Sequence, residues 1–133
     1  MDFNAFWKKL CTDLDYHFFT GVPNESLKDI FNSLNPDVLH FVPAVNDTTA
    51  VGLAAGVCLS GHKSAVLCGV DTLSAVKLYV DNFIIKYNIP ILFITNSIEC
   101  TGLRIFDMEG SLFVLDQVNN YMEYTKLPVV LKI

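Results

Sequence analysis

Charge is scarce in this sequence. Only 17% of its 133 residues are Asp, Glu, Lys or Arg, against about 25% in an ordinary soluble domain. A surface so short of charge implies that another chain covers part of it, and an oligomer is expected. The basic residues are scattered and the net charge is −5. That excludes the positive face a nucleic-acid binder needs to displace counterions. No apolar run approaches the ~20 residues of a membrane-spanning helix; the longest is IPILFIT, residues 89–95. No basic stretch followed by an apolar one opens the chain, so no signal peptide is expected. The four cysteines, Cys11, Cys58, Cys68 and Cys100, form no CxxC pair, and none has a histidine at metal-ligand spacing. Reduced thiols in a cytoplasmic protein are the expectation.

Several catalytic signatures are absent as well. No GxGxxG follows the first apolar segment and no GxxxxGK[ST] occurs, so neither common nucleotide-binding loop is supported. There is no G-x-S-x-G elbow for a serine nucleophile. His17, His40 and His62 show no pairing with a nucleophile, and each reads as structural or solvated.

What is present is a regular alternation of helical and extended patterns, without linker or repeat, in a chain whose length fits one domain over 1–133. Apolar residues Phe3, Phe6, Trp7, Leu10, Cys11 and Leu14 recur at helical spacing over 2–16. HFFTGV (17–22) reads as a strand that breaks at Gly21 and Pro23, and Asn24 can cap a helix to 33 or 34. Asn35-Pro36 marks a turn, and 38–42 a second strand. Asn46 or Asp47 caps a helix over 48–60, ended by Gly61. Then come a strand at 63–68, a loop at 69–73, a helix at 74–87, the strand 89–95, a loop at 96–109, a helix at 111–123 and a last strand at 128–133.

Strict alternation with apolar strands predicts an α/β fold of three layers, a mostly parallel central sheet with helices on both faces. Ligands of such sheets lie outside the C-terminal ends of the strands. The loops there are 21–24, 43–47, 69–73 and 96–102, all rich in polar residues, Gly or Pro. Asp47 stands out among them. It lies on the ligand-facing rim, at the entrance to a helix almost free of polar residues. A carboxylate there is favoured by the helix dipole by ~0.5–1 kcal/mol, which explains it as a structural residue. It is equally placed to hydrogen-bond a ligand laid across the rim.

The stretch PAVNDTTAVGLAAGVCLSG (43–61) resembles the E-x-x-A-x-x-x-A-x-G signature of the pyrimidine-binding domain of thiamine-diphosphate-dependent enzymes. Its flavour is that of sulfopyruvate and phosphonopyruvate decarboxylases. FFTGVPNESLKDIF, KSAVLCGVDTLSAVKLYVDNFIIKYNIPILFITNS and KLPVVL are similar to further segments of that domain, in the same order, so the likeness spans about 18–131. In the family an acid, usually Glu, hydrogen-bonds a ring nitrogen of the cofactor's pyrimidine. The cofactor is the electron sink while a 2-oxo acid loses carbon dioxide. Carried over, the catalytic acid is Asp47. Gly21, Val22, Pro23, Asn46, Gly69, Val70, Asp71 and Thr72 form the cofactor-facing rim. The family's Gly-Asp-Gly motif, which holds diphosphate and magnesium, is absent here. The resemblance therefore implies a diphosphate-binding partner subunit that supplies the Mg site, a homo-oligomer, or both. The alternative is a catalytically inactive binding or assembly module of the same fold, since Asp47 is one methylene shorter than Glu and Asp71 stands where small residues are usual.

Overall fold

Helix α1 forms because its apolar residues fall on one face. In the computed structural model, which describes residues 3–37, 39–69, 75–95, 104–106 and 129–132, α1 is Phe3–Lys8, widening into π-helical turns over Lys9–Asp13. Its buried residues are Phe6, Trp7, Leu10 and Cys11. Asp15, in left-handed backbone (φ 63°), turns the chain into strand β1 (Phe18–Gly21). A single 3-10 turn, Glu25–Leu27, leads into α2 (Lys28–Asn32), followed by β2 (His40–Pro43). Then come α3 (Asp47–Leu59), β3 (Ser64–Cys68), and α4 (Lys77–Tyr79), which continues as π-helical turns over Val80–Ile85. Strands β4 (Leu92–Thr95), β5 (Arg104–Phe106) and β6 (Val129–Lys132) complete the description.

The strands form one sheet in the order β2-β1-β3-β4-β6-β5, and every pairing is parallel. One expectation is corrected. Residues 96–109 are not all loop, because Arg104–Phe106 pairs with β6 as an edge strand. Three residues are too few to show a period of two. The helix expected over 111–123 lies outside the described residues.

Helices cover both faces. On one, α1 and α2 pack against Phe19, Ala65, Leu67, Leu92, Ile94 and Leu131. Trp7 holds this layer together: its ring stacks edge-on against Phe6 and Phe19, at centroid distances of 4.9 and 5.2 Å. Its indole N–H donates to the Ser33 hydroxyl at 2.9 Å, tying α1 to the end of α2. On the other face, α3 and α4 pack against Val66, Cys68 and Phe93. The sheet-facing residues of α3 include three alanines, Ala50, Ala54 and Ala55, with Val51. Their small side chains bring the helix close enough for the buried Ser64 hydroxyl to donate to the Ala54 carbonyl at 2.7 Å.

The β1→β2 crossover, carrying α2, lies on one face, and the β2→β3 and β3→β4 crossovers, carrying α3 and α4, lie on the other. Right-handed connections require this when the strand order reverses direction at β1. The reversal places a topological switch point between β1 and β3.

Candidate active site at the strand ends

Strands β1 and β3 meet too closely at the switch point for any side chain to stand between them. A Cβ on Gly21 would lie 2.5 Å from the Leu67 carbonyl oxygen. Only glycine fits there. The chain then runs through half-buried Val22 and exposed Pro23 to Asn24. Asn24 holds the N-cap position of the 3-10 turn without capping it. Its side-chain N–H donates instead to the Val22 carbonyl at 3.0 Å, and its oxygen accepts the Ser26 hydroxyl. The same side chain lies against Gly69, where a Cβ would come within 3.0 Å of it. Gly21, Asn24 and Gly69 thus lie close-packed at the C-terminal ends of β1 and β3. The sequence pattern predicts Asn24 only as a helix cap; the signal for this second role is that it follows the Gly-Val-Pro break at the switch point.

Asp47 reaches the same end of the sheet from α3. The cap of α3 is Asn46: its side-chain oxygen accepts the Thr49 amide at 2.8 Å, an interaction worth about 1 kcal/mol. Asp47 is the first helical residue, half-buried. Three and four residues before Ala50 and Val51, it lies on the helix face that packs on the sheet. Its charge is felt at the end of β3. The fully buried Cys68 thiol is pushed well above its ordinary value, first by burial and then by the nearby Asp47 carboxylate. The thiol stays protonated, with the Val66 carbonyl 3.6 Å from its sulfur.

The structure therefore gathers Gly21, Asn24, Asn46, Asp47, Cys68 and Gly69 at one end of the sheet. Cys68 was read from sequence only as a core thiol. Val70, Asp71 and Thr72 lie outside the described residues. Chemically, the arrangement offers a carboxylate in the first turn of a helix, beside a neutral thiol and the close-packed ends of β1 and β3.

No family model matches the chain. Over 87 residues it is 31% identical to the alpha subunit of sulfopyruvate decarboxylase from Methanococcus maripaludis, covering 65% of this chain and 52% of that one. The resemblance read from the sequence holds. The aligned part spans about half the length of that curated relative. Among solved structures, the chain matches 2-oxoglutarate:ferredoxin oxidoreductase from Magnetococcus marinus, with 2-oxoglutarate, coenzyme A and succinyl-CoA bound. The TM-score is 0.67 at 12% identity, covering 99% of this chain and 28% of that one. This second likeness establishes the α/β fold. No helix among the described residues is long and apolar enough to cross a membrane.

Proposed function

We propose that the chain is the pyrimidine-binding subunit of a thiamine-diphosphate-dependent decarboxylase of small 2-oxo acids, of the sulfopyruvate or phosphonopyruvate type. The observation that carries this reading is the position of Asp47: a half-buried acid opening α3 beside the switch point, in a chain 31% identical to a sulfopyruvate decarboxylase alpha subunit over 87 residues. Bound thiamine diphosphate would supply the electron sink for decarboxylation. The residues present fit its pyrimidine half. Asp47 offers the acceptor for a ring nitrogen and would hold the proton there. Protonated Cys68 adds no second negative charge to oppose the carboxylate. Val22, Pro23 and Asn46, with Gly21 and Gly69 behind them at the ends of β1 and β3, would be the ring's described surroundings. Diphosphate and magnesium would be held by a partner chain in the cytoplasm. Val45, 88% exposed in the rim loop next to Asn46, supports such a covering chain.

The test is co-expression with a diphosphate-binding partner and assay of sulfopyruvate and phosphonopyruvate decarboxylation. Asp47→Ala is expected to abolish turnover. Asp47→Glu extends the carboxyl by ~1.5 Å, and a shift of that size changes rates on the order of a hundredfold. Turnover unchanged in Asp47→Ala would refute the assigned role. One observation favours a second reading as a non-catalytic module: Asn24 already packs against Gly69 at the switch point. Under that reading, the partnered chain binds partner but shows no turnover, and Asn24→Ala does not restore it.

A further inference from the structure

At the opposite end of the strands, the chain brings together all three of its histidines. His17 precedes β1, His40 opens β2 and His62 precedes β3, and they line one cavity of about 590 Å³. Small-ligand clefts typically measure ~300–1,000 Å³. The topology explains the space. Helix α3 lies over β1 and β3 and leaves the same face of β2, the edge strand, uncovered. Phe18 and Val42 form an apolar floor there, with Val57 of α3 alongside.

The charged groups facing this cavity come from three connections. Asp15, from the turn after α1, accepts the His17 imidazole N–H at 2.9 Å. Lys63 donates to the Leu14 carbonyl at 2.6 Å and lies 5.5 Å from the Tyr16 ring centroid, so its ammonium is held at the edge. Three carbonyls in the last turn of α3, those of Gly56, Val57 and Cys58, are already bonded. Val57 accepts the Ser60 hydroxyl and the His62 amide, and Cys58 accepts the Gly61 amide. Three imidazoles and one ammonium among the described residues thus line the cavity with one carboxylate, in a chain whose net charge is −5. Among the described residues, no group of three His, Cys, Asp or Glu side chains is placed to hold a metal ion.

We propose that this cavity binds a small organic anion, with an apolar body on Phe18, Val42 and Val57 and an acidic group toward His40, His62 and Lys63. The site is independent of the Asp47 reading. The 13-residue helix α3 separates the two, a span of about 20 Å.

Naphthalene-1-sulfonate is the suitable probe, because its sulfonate keeps its charge between about pH 6 and pH 8, where imidazoles titrate. Any pH dependence then belongs to the protein. Titration of the full chain, followed by amide NMR, should show one saturable site with shifts at Phe18, Val42, Val57 and Gly61. Binding should be about tenfold tighter at the lower pH. The cationic analogue naphthalene-1-methylammonium should bind more weakly at that pH. His40→Gln with His62→Gln should remove most of the pH dependence. Both side chains are exposed, and the single variants, each expected to lose part of it, serve if the double fails to fold. Absence of saturation at millimolar sulfonate, equal affinity at the two pH values, or shifts at Thr49, Leu53 and Gly56 on the outer side of α3 would each overturn the proposal.

Discussion

Replacing Gly21 by alanine adds one methyl group where β1 and β3 approach closely. The new Cβ would lie 2.5 Å from the Leu67 carbonyl oxygen and 3.2 Å from the Leu67 Cβ. Neither neighbour can give way easily. Leu67 is buried in the middle strand pair, and β1 is paired on both sides, Gly21 with Pro43 and with Leu67. The Gly21 carbonyl also accepts the Ala44 amide at 3.0 Å. Overpacking of this kind costs about 1–3 kcal/mol, and the positive φ of 157° adds strain for an L side chain. A loss of about 3 kcal/mol is expected, which for a chain of this size lowers Tm by roughly 10 °C. The same substitution at Gly56 is the matched control. That glycine lies within α3 with nothing within 4 Å of its would-be Cβ. There, Gly→Ala should stabilise by about 0.5–1 kcal/mol, through helix propensity and a less flexible unfolded chain. Urea and thermal unfolding of both variants give the comparison. If Gly21→Ala proved as stable as Gly56→Ala, the close approach of β1 to β3 would be refuted.

Two further outcomes follow from buried groups. The Tyr16 hydroxyl is buried and has no hydrogen-bond partner among the described residues. Tyr16→Phe should therefore hold or raise stability, by up to about 1–2 kcal/mol, and a clear loss in urea unfolding would show that the hydroxyl is satisfied. The Cys68 thiol is held above its ordinary value in the folded chain, so the folded state keeps a proton that the unfolded state releases. Its stabilisation is full below about pH 8.5 and falls by roughly 1.4 kcal/mol per pH unit as pH rises toward the folded value. Unfolding free energies measured from pH 8 to 10 should fall less steeply in Cys68→Ala, and an unchanged slope would contradict the placement of that thiol.

The parts of this fold that were legible in the sequence are those with long, unambiguous patterns. IPILFIT contains β4, and the alanine- and glycine-rich run before Gly61 is α3, ended by Gly61 at φ 94° with the paired amide bonds of a helix stop. The rim was legible because loops after parallel strands share one edge. Which residue caps α3 was not, since Asn and Asp cap almost equally well; the structure chose Asn46 and left Asp47 in the first turn. Strand β5 was missed because an edge strand of three residues carries no period. The histidine cavity was missed for a different reason. Taken singly, His17, His40 and His62 carry no pairing signal; it is the strand order that brings residues at the starts of neighbouring parallel strands to the same edge.

The two ends of the sheet share one cause. The β2→β3 connection must cross β1, because β1 lies between those strands. Helix α3 is therefore carried over β1 and β3, and its alanines let it lie close against them. That position brings the first residue of the helix, Asp47, to the C-terminal ends of β1 and β3. It also leaves the β2 edge of the same face bare, so Phe18 and Val42 line a cavity beside the end of the helix. A bulkier residue at Ala50 or Ala54 would lift α3 from the sheet at the level of its first turns. The Asp47 carboxylate would then withdraw from Cys68. Because the Schellman-type stop at Gly61 anchors the other end, the histidine cavity would be disturbed less, and the two sites should respond separately to substitutions along one helix.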